Sequence, residues 1–136
     1  MSASAEAFSG RILLVDDDDF IRLLVRETLE RTGFQVMEAA DGQDAMAVFF
    51  DFMPDLVLLD VLMPGLDGFQ TCRTIRNAPT GSEVPILIMT GLDDLETITC
   101  ACQSGATDFI TKPLHLQALP YRVQDLVRSS DLVALE

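Results

Sequence analysis

The sequence predicts an α/β fold: a five-stranded parallel sheet, taken in the common doubly wound order 2-1-3-4-5, with five helices spread over its two faces. Three observations lead there. Short apolar runs and stretches with helical periodicity alternate five times along the 136 residues. Ile12–Val15, Leu56–Leu59 and Ile86–Met89 are apolar throughout, as strands covered on both faces must be. Chemically active residues follow the runs: Asp16 and Asp17, Asp60, Thr90, and, after Thr111, Lys112. That rim, outside the carboxyl ends of the strands, is where open α/β sheets bind ligands.

The elements follow in order. Residues 1–9 read as a flexible leader, 10–129 as the domain, and 130–136 as a helical extension or linker. Ile12–Val15 is the first strand. Phe20, Leu23, Leu24 and Leu29 recur at helical spacing, with Asp19 as the expected N-cap and Gly33 as the stop. Phe34–Glu38 alternates apolar and polar, as an edge strand with one wet face does. Gln43–Phe50 is helical, Leu56–Leu59 is the third strand, and Gly68–Arg76 is helical again. Ile86–Met89 is the fourth strand. Asp93–Cys102 is a helix with Leu95, Ile98 and Cys102 as its apolar stripe. Phe109–Ile110 is a brief strand. The last helix begins between Gln117 and Pro120, and Leu116, Leu119, Val123, Leu126 and Val133 fall at intervals of three and four, broken at Ser130.

Composition excludes several classes. With 22 acidic and 9 basic residues the net charge is −13. Phosphate backbones and anionic bilayers need Lys and Arg, so a nucleic-acid or membrane-surface role is disfavoured. A metal cation or a basic partner suits the charge better. No apolar run reaches the roughly 20 residues needed to span a bilayer, and MSASAEAFSG has no apolar h-region. A cytoplasmic location is expected. Cys72, Cys100 and Cys102 are odd in number and stand away from the single His115, so they read as small core-filling residues of a reducing compartment.

Four consecutive aspartates, Asp16 to Asp19, would repel one another in a buried setting. A hard cation removes that difficulty, and Mg²⁺ takes oxygen ligands while keeping several waters. Lys112 is the sole lysine, and its compact charge suits a carboxylate or a phosphoryl group.

The segments ILLVDDDD, LVLLDVLMPGLDGF, PILIMTG and GATDFITKP, in that order, resemble the receiver domain of two-component response regulators from about Arg11 to Arg128. That family has the flavodoxin-like fold. The resemblance implies that Asp60 is the phosphoacceptor, taking its phosphoryl group from a sensor histidine kinase or a phosphotransfer protein. It implies Mg²⁺ held by Asp16, Asp17, Asp60 and the backbone carbonyl of Leu62. It also implies phosphoryl contacts from Thr90 and Lys112, a Thr90–Phe109 switch, and a cis bond before Pro113. Phe109 read from spacing alone is plain core, and Thr90 could simply cap the next helix; each can hold beside its implied role. Pro64-Gly65 and Asp67-Gly68 are first of all turn residues. Asp18 and Asp19 belong to the start of the first helix.

Within the family, side chains two residues beyond the acceptor and beyond the threonine orient a hydrolytic water. Here they are Leu62 and Leu92, which implies slow self-dephosphorylation. The resemblance also implies a homodimer or output surface on the fourth helix, fifth strand and fifth helix, and an output domain beyond Glu136. The C-terminal segment DFITKPLHLQALPYRVQDLVRSS is similar to receivers fused to cyclic-di-GMP synthases and phosphodiesterases. The rivals are a Mg²⁺-dependent haloacid-dehalogenase-type phosphatase, a receiver that no longer accepts phosphate, and a flavodoxin-like FMN binder, whose phosphate four aspartates would repel.

Overall fold

Five strands form one parallel sheet: β1 (Arg11–Val15), β2 (Gln35–Ala39), β3 (Leu56–Asp60), β4 (Ile86–Thr90) and β5 (Asp108–Thr111). Their order is β2-β1-β3-β4-β5. Between and after them run α1 (Asp19–Arg31), α2 (Gly42–Phe52), α3 (Gly68–Asn77), α4 (Leu95–Ser104) and α5 (Leu119–Leu135). The computed structural model describes residues 8–61, 67–91 and 95–135, with side chains as far as 130.

Alternation along the strands sorts the core into two layers. Leu13, Val15, Val57, Leu59, Ile86 and Ile88 face α2, α3 and α4, where Phe49, Ile75 and Ala101 meet them. Ile12, Leu14, Leu56, Leu58, Leu87 and Met89 face α1 and α5, where Val25, Leu29 and Val123 meet them. Both layers are apolar, so the three central strands show no alternation in the sequence. In-register pairs Val15↔Leu59 and Asp60↔Met89 then bring the strand ends to one rim.

Several expectations shift. The N-cap of α1 is Asp18, not Asp19. Asp18 has the extended backbone a cap needs, and its carboxylate accepts from the amides of Phe20 and Ile21. Asp19 is the first helical residue and pairs with Arg22. Starting the helix there turns Ile21, Val25 and Leu29 inward and leaves Phe20 and Leu23 exposed, at 64 % and 52 %. In α4 the buried residues are Ala101 and Ser104; Leu95 and Cys102 are exposed. Only Cys72 of the three cysteines is buried. Phe8 and Ser9, placed in the leader by the sequence, dock on the domain. Phe8 packs against Phe34 and Tyr121, and the Ser9 amide donates to Gln124 at 3.2 Å.

Arg76 braces the end of the sheet opposite the rim. Its guanidinium donates to the carbonyls of Gly105 and Gly81, at 2.7 and 3.0 Å, to that of Val84, and to the Thr107 hydroxyl. No helix among the described residues is long and apolar enough to cross a membrane.

Candidate functional site

The rim gathers its residues from four strand ends. Asp16 and Asp17 follow β1, Asp60 closes β3, Thr90 closes β4, and Lys112 follows β5. Asp16, Asp60 and Thr90 are buried, while Asp17 is exposed. Carboxylate oxygens of Asp16, Asp17 and Asp60 all lie within 4.8 Å of one another. The Lys112 amide donates to the Thr90 carbonyl at 2.7 Å, which sets the lysine beside β4. Its ammonium then lies 3.2 Å from Asp16 Oδ2 and 3.1 Å from Asp60 Oδ1. The Lys112–Pro113 peptide bond is cis.

Charge in this corner is only partly balanced. Burial pushes the Asp60 carboxyl above its ordinary value, and Asp16 pushes it further, while Lys112 pulls the other way. Partial burial works to lower the Lys112 ammonium, but Asp60 and Asp16 outweigh it and hold its pKa above the ordinary value. Three carboxylates facing one ammonium leave an excess of two negative charges. A hard divalent cation with oxygen ligands fits that donor set.

The first turn of α3 sits against the end of β3, where the Gly68 amide donates to the Val61 carbonyl at 3.2 Å. Asp67 and Gln70 form a capping box, with each side chain accepting from the other's backbone amide. Gly68 is there for space as well as for the turn. A Cβ at this position would lie 2.3 Å from the Asp60 carbonyl oxygen and 2.4 Å from Val61 Cα. Neither backbone atom can yield, so Gly68→Ala must push α3 away from the Asp60 strand end. We expect a loss of about 1–3 kcal/mol, the usual cost of overpacking, read from urea unfolding midpoints.

Phe109 packs at the edge of the core, close to its reading from spacing alone. It is half-buried against the layer under α4, and it lines an open groove of about 380 Å³ with Ile110, Pro113, Leu114 and Leu119. Leu62, Pro64, Gly65 and Leu92 lie outside the described residues. Two features escaped the sequence reading: the Gly68 contact, and a bond from Arg22 to the Asp16 carbonyl at 2.6 Å. The Asp-x-x-Gln spacing at residues 67–70 marks the start of α3 but not how close Gly68 comes to the Asp60 backbone. Nothing in sequence spacing signals the second.

The profile of the response regulator receiver domain matches residues 12–124. The chain belongs to this family. As a receiver of two-component systems it has relatives among full-length regulators. The DNA-binding dual master transcriptional regulator RpaA of Synechocystis sp. is 36 % identical over 123 residues, which cover 90 % of this chain and 51 % of RpaA. Response regulator PleD of Caulobacter vibrioides is 40 % identical over 120 residues, covering 88 % of this chain and 26 % of PleD. This receiver therefore spans about half the length, or less, of these relatives. The structure of chemotaxis protein CheY4 of Vibrio cholerae superimposes with a TM-score of 0.83 at 31 % identity, covering 87 % of this chain and 98 % of CheY4. Family membership displaces the phosphatase and FMN-binding readings of the aspartate cluster.

Proposed function

We propose that this receiver accepts a phosphoryl group on Asp60 from a histidine kinase or a phosphotransfer protein. One observation carries the reading: a buried carboxylate at the end of a central strand, 3.1 Å from a lysine and beside two more carboxylates. An Asp60 oxygen attacks the phosphorus of a phosphohistidine. The new O–P bond forms as the P–N bond breaks, and the imidazole leaves. Such transfers pass through a loose, highly charged transition state, so positioning and cations supply most of the catalysis.

Asp16, Asp17, Asp60 and the Leu62 carbonyl would hold Mg²⁺. Bound there, Mg²⁺ neutralises phosphoryl oxygens in transfer. Lys112 orients the Asp60 carboxylate and meets a phosphoryl oxygen. The Thr90 hydroxyl binds another, and Phe109 follows it. The added dianion shifts a two-state equilibrium by as much as it binds one state better. The readout surface is α4, β5 and α5, as a homodimer contact or as the contact to an output domain beyond Glu136, with cyclic-di-GMP enzymes as one class of output. The domain itself is a cytoplasmic phosphoacceptor rather than an enzyme with a turnover substrate.

The test is intact-mass spectrometry after incubation with acetyl phosphate. One phosphoryl adduct is expected with Mg²⁺, and none with excess chelator or in Asp60→Ala. A folded protein that gains no adduct under any condition would mark a receiver that does not accept phosphate. Adduct decay measures the slow self-dephosphorylation expected from Leu62 and Leu92.

A further inference from the structure

We infer that Arg22 is a positioning residue for the acidic site, holding the Asp16–Asp17 peptide in the orientation that aims both carboxylates at one cation. The inference rests on the proposed reading of Asp16, Asp17 and Asp60 as the cation site.

Asp16 is fixed at every polar atom. Its amide donates to the Ala39 carbonyl at 3.2 Å. Its Oδ1 accepts from the Asp18 amide at 2.9 Å, and its Oδ2 accepts from Lys112 at 3.2 Å. Its carbonyl oxygen, which belongs to the peptide joining it to Asp17, accepts from Arg22 Nη1 at 2.6 Å. Asp17 is exposed and follows that peptide, so the orientation of the peptide sets where its Cα–Cβ bond points.

Arg22 is itself held from two sides. Its Nε donates to Glu38 on β2 at 2.9 Å and its Nη2 to Asp19 at 2.5 Å. The other Glu38 oxygen accepts from Arg26, which also reaches Glu30. The Arg22 side chain is only 15 % exposed, unlike a solvated surface pair. One planar fork meets three acceptors in three directions, which a lysine ammonium on a flexible stem cannot reproduce. The edge strand thus backs the metal-site loop through a single guanidinium.

Electrostatics and positioning predict opposite signs. Removing a positive charge beside three carboxylates should by itself tighten Mg²⁺ binding. Removing an outer-shell tie that orients ligands typically weakens binding about 10–100-fold. The experiment is isothermal titration of the whole chain with Mg²⁺ at fixed ionic strength, for wild type, Arg22→Gln, Arg22→Lys and Arg26→Gln.

The expected result is at least a tenfold weaker Kd for Arg22→Gln, a smaller loss for Arg22→Lys, and an unchanged Kd for Arg26→Gln, which breaks the same ion network but not the carbonyl tie. Should Arg22→Gln fail to fold by circular dichroism, Glu38→Gln replaces it, with an intermediate weakening expected. Unchanged or tighter binding in the folded variant, or an equal loss in Arg26→Gln, overturns the inference. Acetyl phosphate labelling of wild type separates the two readings. No adduct on wild type sinks the phosphoacceptor role, while the Mg²⁺ titrations still decide the role of Arg22.

Discussion

Replacing Asp60 with asparagine should abolish the phosphoryl adduct and, in metal-free buffer at pH 7, make the protein harder to unfold by roughly 1–3 kcal/mol, the scale of one poorly compensated buried polar group. The first effect follows from the proposed role of Asp60 as the nucleophile. The second follows from the site's electrostatics. Asp60 is 4 % exposed, and burial together with Asp16 raises its pKa despite Lys112. A raised pKa means that the folded state binds the proton more tightly than the unfolded chain. The charged carboxylate therefore costs stability, and that cost grows as pH rises from the ordinary aspartate value of about 3.9 through the raised folded value. Asparagine does not titrate. The stability gap between variant and wild type should be small near pH 4 and full at pH 7, measured by urea unfolding in chelator. A gap that ignores pH, or a variant less stable than wild type at pH 7, would show that Lys112 already compensates Asp60 fully.

Lys112→Met should do the reverse. It strips the one ammonium from between Asp16 and Asp60, leaving two buried carboxylates facing each other. Removing one partner of a buried pair costs about 3–5 kcal/mol. Here about 2–3 kcal/mol is expected, because the lysine side chain keeps 27 % exposure. The Lys112 pKa is raised, so its stabilising contribution is complete below the ordinary lysine value and is lost only as pH climbs through the folded one. The penalty should therefore be present at pH 7. It should shrink toward pH 4, because the orphaned Asp60 then takes up a proton. Mg²⁺ should rescue the variant more than it stabilises wild type, since a bound cation adds RT ln(1 + [L]/Kd) and the variant has more uncompensated charge to offer it. Thermal melts with and without Mg²⁺ measure this directly, and equal Mg²⁺ shifts in both proteins would contradict it.

Much of the site was readable because of where its residues fall. Asp16, Asp60, Thr90 and Lys112 stand at or just beyond the ends of strand runs, and parallel strands in register bring such ends together. The sheet was readable for a related reason. Strands buried on both faces cannot afford polar residues, so Ile12–Val15, Leu56–Leu59 and Ile86–Met89 identify themselves. The helices were harder. Periodicity reveals that a helix has an apolar face, yet Phe20 and Leu23 in α1, and Leu95 and Cys102 in α4, sit at helical spacing and point to solvent. Which stripe turns inward depends on where the cap starts the helix and on what the sheet presents below it.

By itself, then, the sequence determined the order of elements, the two-sided burial of the sheet and the roster of the acidic rim, because each is written in local runs and their ends. Tertiary structure alone decided that Asp18 rather than Asp19 caps α1. It also decided that Gly68 must have no side chain against the Asp60 backbone, and that Arg22, not a neighbouring arginine, reaches the Asp16 carbonyl. Those are matters of ångströms between segments distant in the chain or of one backbone angle. Hydrogen bonds and steric contacts resolve such differences, and residue patterns do not.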